Sequence, residues 1–256
     1  MNRVLFHSTI FGPIHSRRLG TSLGINLLPD DGKICSFDCV YCEAGWNAQG
    51  TGTTGFPPRE KVASMLEEKL RSMAENNERL DVITFSGNGE PSLHPEFPEI
   101  IDDVIALRNF FAPNAKVSVL SNATRLDVER VADALHRVDN NILKLDSAIT
   151  STLRSINRPN SPAFTAEKVV DDLKRFSGQC IVQTLLTRGS WQGRPFDNTT
   201  ESEVDALIAA YKEISPRSVM LYPVDRATPA PDVVKVTAEE IAAIADRVRA
   251  AGIEVY

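Results

Sequence analysis

The 256-residue chain is 42% hydrophobic and 24% charged, with a formal net charge of −6 at pH 7. This is the balance of a soluble globular protein with room for a sizeable core, and it excludes a chain drawn as a whole to nucleic acid or anionic membrane by a positive field. Four cysteines, three of them clustered, read as metal binding in a reducing compartment and not as a disulfide framework. The stretch from Met1 to His7 lacks the apolar core of a secretory leader, and no apolar run approaches the ~20 residues of a membrane span. The expected location is cytoplasmic, with no membrane partner.

In chain order, residues 1–21 form an N-terminal extension. Residues 22–28 then alternate Leu23, Ile25 and Leu27 with small or polar neighbours, the period of a strand. The loop that follows carries Cys35-Ser36-Phe37-Asp38-Cys39-Val40-Tyr41-Cys42. A glycine-rich stretch leads to Pro57-Pro58, and Val62, Met65, Leu66, Leu70 and Met73 mark a helix over 59–74. Further strands are predicted at 81–86, 116–121, 141–146, 180–186 and 218–222. Helices between them are marked by Ile100 to Ile105, Val128 to Leu135 and Val169 to Phe176, the last capped by Thr165. Thr200 with Glu203, and Thr237 with Glu240, read as capping boxes opening two more helices. Residues 253–256 are a candidate terminal strand.

Six strands each followed by a helix predict a parallel α/β sheet with outer helices. Six units are too few for a closed eight-stranded barrel, so the expected fold is an open partial (β/α)6 barrel. It occupies one domain over residues 1–256, with the six units in 22–256. The unusual residues fall just after strands: the cysteines, Gly87-Asn88-Gly89-Glu90, Asn122, Asp146 and Arg188. In parallel α/β folds that end carries the site.

Three thiolates in a C-x3-C-x2-C run can hold three corners of an iron–sulfur cube and leave the fourth iron open to a small molecule. Two other classes compete. A structural zinc protein would complete a tetrahedron with His7 or His15. An electron-transfer iron–sulfur protein needs a fourth cysteine, and Cys180 is remote in sequence and reads as a buried small hydrophobe.

The cysteine run with its aromatic Tyr41, followed by a post-strand Gly-Asn-Gly-Glu, resembles the radical S-adenosylmethionine superfamily. The likeness covers nearly the whole chain. The stretch Phe11-Gly12-Pro13-Ile14-His15-Ser16-Arg17-Arg18-Leu19-Gly20 with Ser22-Leu23-Gly24-Ile25-Asn26 is similar to a subgroup of iron–sulfur oxidoreductases related to the tRNA wyosine-forming enzymes. The resemblance implies that Cys35, Cys39 and Cys42 ligate a [4Fe–4S] cluster and that S-adenosylmethionine chelates its open iron. Reductive cleavage would then give a 5′-deoxyadenosyl radical that abstracts hydrogen from a substrate. The electron would come from an external donor such as a flavodoxin or ferredoxin.

The same resemblance assigns cofactor contacts, each with a plain alternative. Tyr41 packs near the adenine, or only shields the cluster. Gly87, Asn88, Gly89 and Glu90 meet the cofactor's amino group, the glycines allowing close approach, or form a simple turn. Ser121 and Asn122 bond its carboxylate or ribose, or cap the next helix. Asp146 suits the ribose diol, with Lys144 nearby, or faces solvent in a turn. Gln183 and Thr184 point into the barrel, or bond within the core. Arg17 and Arg18 meet an anionic group, or form a surface pair. The Pro-bearing segments Asn157-Arg158-Pro159 and Asp225-Arg226-Ala227-Thr228-Pro229 line the substrate mouth, or are rigid connectors. No catalytic residue is singled out, and small-molecule, peptide and RNA substrates stay open.

Overall fold

The computed structural model describes residues 3–16 and 20–256; Arg17 and Arg18 lie outside them. A hairpin opens the fold, β1 (Ile10–Ser16) antiparallel to β2 (Gly20–Ile25), with Ile10 opposite Ile25 and Ser16 opposite Gly20. There follow α1 (Arg59–Glu75), β3 (Val82–Phe85), α2 (Phe97–Phe111), β4 (Lys116–Ser121), α3 (Glu129–Arg137) and β5 (Asn140–Lys144). Then come α4 (Thr150–Asn157), α5 (Ala166–Lys174), β6 (Ile181–Trp191), β7 (Arg194–Asp197), α6 (Glu201–Ile214), β8 (Ser218–Pro223), β9 (Asp232–Lys235) and α7 (Ala238–Ala250).

Strands β2, β3, β4, β5, β6 and β8 pair in that order, all parallel. Among the described residues no ladder joins β8 to β1, so the barrel is open, as the six-unit count predicts. The period-two alternation of each strand sorts its side chains. Leu23, Ile25, Ile83, Phe85, Val117, Val119, Leu143, Val182, Val219 and Leu221 join one large core that also takes in the helix residues Leu66, Ile101, Leu135 and Leu207. The other face holds a smaller cluster of Ile142, Ile181 and Met220 with Leu120 packed against it. Above that plug the interior turns polar. No helix is long and apolar enough to cross a membrane among the described residues.

Several elements were not expected. The N-terminal extension supplies β1. A helix, α4, stands between β5 and α5; its sequence, rich in Ser and Thr, has too few apolar residues to show a face. Strand β6 continues to Trp191, where β7 pairs one edge and β9 the other, both antiparallel. Gln192 and Gly193, both with positive φ (51° and 73°), form the two-residue turn of the β6–β7 hairpin, the geometry such tight hairpins need. The terminal segment contributes a single bridge, Val255 to Val219. The Thr237–Glu240 box forms as expected. At α6 Thr200 caps Glu203 N, but the Glu203 carboxylate turns to Ser147 Oγ at 2.6 Å, so that box is half made.

Candidate active site

The cysteine loop connects β2 to α1 and is clamped by backbone on two sides. On one side Ile34 N donates to Asn88 O (3.1 Å) and Glu90 N donates to Ile34 O (3.0 Å), zipping the loop to the end of β3. On the other, Asp38 N donates to Asn157 O, Val40 N to Ile156 O and Asn160 N to Ser36 O, all within 3.0 Å. Both glycines of the Gly-Asn-Gly-Glu turn are required by the protein itself. A Cβ on Gly87 would lie 2.3 Å from Asn26 Oδ1, and one on Gly89 would lie 1.8 Å from Ile34 O. The two glycines thus admit close approach of neighbouring chain, and both also line the cavity onto which the three cysteines open.

Cys35, Cys39 and Cys42 open onto one cavity of about 370 Å3 at the C-terminal ends of the parallel strands. Their sulfurs have hydrogen-bond donors. Phe37 N and Asn122 Nδ2 donate to Cys35 Sγ at 3.5 and 3.6 Å, and Asn157 Nδ2 donates to Cys39 Sγ at 3.5 Å. Burial pushes the Cys39 thiol up to about 11, and Cys35 is raised further by burial and the Cys39 thiolate. Lys33 is fully buried beside them, its ammonium donating to Gly45 O at 2.7 Å and lying 3.6 Å from Asp38 Oδ1. Burial opposes that charge, yet the thiolates of Cys42, Cys35 and Cys39 and the Asp38 carboxylate hold the Lys33 pKa above its ordinary value. A buried cation whose charge the three cysteines favour, with N–H groups aimed at two of their sulfurs, suits a polynuclear cluster carried on thiolates.

Glu90 is buried at the junction of β3 and β4. Its Oε1 accepts from Ser92 N (3.1 Å), Ser92 Oγ (2.6 Å) and Ser121 Oγ (2.9 Å), and its Oε2 accepts from Asn122 N (2.7 Å). Burial raises its pKa and these donors pull the other way. Ser121 is therefore spent on Glu90, while one lone pair of Oε2 is left on the cavity wall. Asn122 uses its amide NH2 on Ser36 Oγ (2.9 Å) and Cys35, and its oxygen caps Thr124.

Opposite stands a buried network. Asp146 Oδ2 accepts from the Tyr41 hydroxyl and from Asn157 Nδ2 (2.6 Å), and Oδ1 accepts from Leu185 N (2.9 Å). Lys144 Nζ lies 3.4 Å from Asp146 Oδ1, donates to Tyr222 OH at 2.9 Å and sits 5.4 and 5.5 Å from the Tyr41 and Tyr222 ring centres. Burial would lower the Lys144 pKa, but Asp146 and Tyr222 more than offset it and keep it charged. Burial and Asp146 raise the Tyr41 pKa well above the ordinary range, so its hydroxyl stays a donor.

The cavity thus gathers the three cysteines, Tyr41, Gly87, Gly89, Glu90, Ser121 and Asn122, with Lys144 and Gln183. Two of the expected contacts stand apart from it. Asn88 is buried with its amide tied to Phe6 and Pro29, holding the N-terminal segment. Asp146 is 1% exposed behind Tyr41 and Asn157, so it is neither solvent-facing nor at the cavity surface. Thr184 faces the other way and bonds Leu145 O and Tyr211 OH, both at 2.6 Å. Lys33, two residues before a cysteine, carries no signal in the sequence; Asn157, in a segment expected either to line the substrate mouth or to serve as a rigid connector, instead bonds Cys39 and Asp146. No histidine lines the cavity among the described residues. His7 bonds Asp30 O, and His15 lies on β1. Cys180 is buried in the core behind the sheet. The fourth ligands expected for the two competing classes, His7 or His15 and Cys180, do not line the cavity.

The radical SAM superfamily pattern matches residues 31–189. A UPF0026 protein of Methanocaldococcus jannaschii is 32% identical over 82% of this chain, and the chain spans 62% of that relative's length. Among solved structures, a radical SAM methyltransferase from Sphaerobacter thermophilus superposes over 92% of this chain and 65% of its own, with a TM-score of 0.67 and 16% identity. TYW1 with a bound lysine–pyruvate adduct covers 91% and 75%, with a TM-score of 0.58 and 14% identity. The two structures share this fold, and the stretch that matches the superfamily contains every cysteine and the Gly-Asn-Gly-Glu turn, together with the ends of β3, β4 and β5 that wall the cavity. The chain belongs to the radical SAM superfamily.

Proposed function

We propose that this chain is a radical S-adenosylmethionine enzyme, with a [4Fe–4S] cluster on Cys35, Cys39 and Cys42 and S-adenosylmethionine beside it. The observation that carries this reading is the opening of all three thiols onto one cavity, whose ~370 Å3 suits a small cofactor. When bound, the pair would supply reductive cleavage of the sulfonium to a carbon-centred radical able to take hydrogen from a substrate. The chain's own residues bind, orient and shield. Asn122, Asn157 and the Phe37 amide feed hydrogen bonds to cysteine sulfurs, and Lys33 offsets their charge. The free lone pair of Glu90 Oε2 accepts from the cofactor's ammonium. Lys144, with two partners for three N–H groups, meets its carboxylate. Tyr41, fixed through its hydroxyl, offers a ring to the adenine.

Three cysteines are used here and Cys180 is buried elsewhere, so the electron comes from outside the chain, from a flavodoxin- or ferredoxin-like donor. The test is anaerobic reconstitution followed by electron paramagnetic resonance of the reduced cluster. S-adenosylmethionine should perturb the signal, and 5′-deoxyadenosine should accumulate under strong reductant. An unperturbed signal with no 5′-deoxyadenosine above a cluster-free control would sink the reading.

A further inference from the structure

The cysteine loop has a second face. Phe37 and Cys39 line the cavity, whereas Asp38 between them lines a separate groove of about 530 Å3. This groove lies between α4, the turn after it and the tip of the β6–β7 hairpin, and it carries three guanidiniums, Arg154, Arg158 and Arg194, against the single carboxylate of Asp38.

Many arginines elsewhere in this acidic chain are matched at short range, among them Arg59 with Asp103, Arg188 with Glu240 and Arg247 with Asp205, each at 2.6 Å. In the groove the matching fails. Arg154 spends its hydrogen bonds on the neutral carbonyls of Pro162 and Phe164. Arg158 reaches Asp38 only at 3.8 Å, and that carboxylate already accepts from Asn47 N at 2.7 Å and lies 3.6 Å from Lys33. Arg194 has no ion pair among the described residues. In the packing beneath, the donors Arg158 Nε and Trp191 Nε1 and the acceptors Asn47 Oδ1 and Asn157 Oδ1 are shielded from solvent and have no partner. Trp46 and Trp191, stacked 4.7 Å apart, hold the Arg158 guanidinium at 5.1 and 5.9 Å from their ring centres, which orients it without using its N–H edge.

Charge decides what fits. Three guanidiniums against one carboxylate leave two positive charges unmatched. A carboxylate ligand would offset one of them. A phosphomonoester carries about −1.5 to −2 at neutral pH and offers three acceptor oxygens, and guanidinium forks match that geometry. We propose that this groove binds a phosphomonoester group, on the opposite side of the cysteine loop from the thiol cavity. It goes beyond the radical reading and does not depend on it.

The chain's two tryptophans, Trp46 and Trp191, both stand at this corner, so intrinsic tryptophan fluorescence reports on the groove and not on distant sites. The purified full chain is titrated with inorganic phosphate, uridine 5′-phosphate, uridine and acetate at constant ionic strength. The two phosphates should give a saturable change, and uridine and acetate none. Arg194→Glu, an exposed change on a hairpin, should weaken phosphate binding at least tenfold with an unaltered melting curve. Equal affinity for both phosphates means that the groove reads a free phosphate group alone; tighter binding of the nucleotide means that it also reads the ester. No saturable response to either phosphate, or undiminished binding by Arg194→Glu, overturns the proposal.

Discussion

The buried Lys33, whose charge is favoured by the three nearby cysteines, acts electrostatically as well as structurally. A cluster on three thiolates carries more negative charge after reduction, so a fixed cation beside it favours the reduced state and raises its potential. Lys33→Met should therefore shift the midpoint potential of the reconstituted cluster to more negative values, followed by redox titration of its electron paramagnetic resonance signal; an unchanged potential would show that Lys33 serves only to hold Gly45 and Asp38. Cys42 is only partly buried, so Cys42→Ala should leave the chain folded while stripping most of the iron. Retention of a full [4Fe–4S] spectrum would refute its place as a ligand. Gly89 sits at φ 141° with Ile34 O where a Cβ would go. Gly89→Ala adds strain and a backbone clash, and is expected to cost at least about 2 kcal/mol, roughly 4–8 °C of melting temperature, because the zipper between Ile34 and Glu90 must open.

Among the elements, helix starts offer a controlled comparison. Thr237 and Glu240 cap each other reciprocally, at 3.2 and 2.9 Å, whereas Thr200 caps Glu203 N at 3.4 Å and Glu203 is diverted to Ser147. Thr237→Ala should then cost about 1 kcal/mol and Thr200→Ala, whose cap bond is longer, less; equal losses in denaturant midpoints would show that the two hydroxyl caps are equivalent. The same contrast explains what could be read ahead of the fold. Strand β4 matched its expected bounds because Val117 and Val119 alternate with Ser118 between buried layers. Helix α4 escaped because Leu153 and Ile156 are its only large apolar residues and their burial comes from tertiary packing. At the site, thiols at fixed spacing announce themselves in any context. Asp146 and Asn88 are polar residues after strands just as Asn122 is, and only the packed chain decides that Tyr41 covers one and Phe6 engages another. Lys33 was unreadable for the same reason: a lone lysine is ordinarily a surface residue, and its burial follows from the turn that brings Gly45 back beneath the cysteines.

At the scale of the molecule, the parallel strands deliver every polar group of the cavity to one end of an open sheet, and the chain then reaches back across that end. Arg226, on the segment after β8, pairs with Glu43 next to Cys42, Nη1 to Oε2 at 2.6 Å across 183 residues of sequence, and both side chains line the cavity. The partners are 63% and 41% exposed, so the pair itself is worth about 1 kcal/mol or less. That ceiling makes it a latch that is easily opened and not a structural staple. Glu43→Gln and Arg226→Gln should each speed S-adenosylmethionine dissociation, with affinity falling by at most about fivefold, and neither should lower the melting temperature measurably. The double variant discriminates between a latch and two separate ligand contacts. If the two residues act on each other, it should be no worse than either single variant, a coupling energy that cancels one of the two losses. If each touches the cofactor on its own, the losses should add. Stopped-flow dissociation from the four proteins, run at two salt concentrations, separates the cases, because a solvent-exposed latch weakens with salt and should bring the unsubstituted protein toward the rate of the single variants.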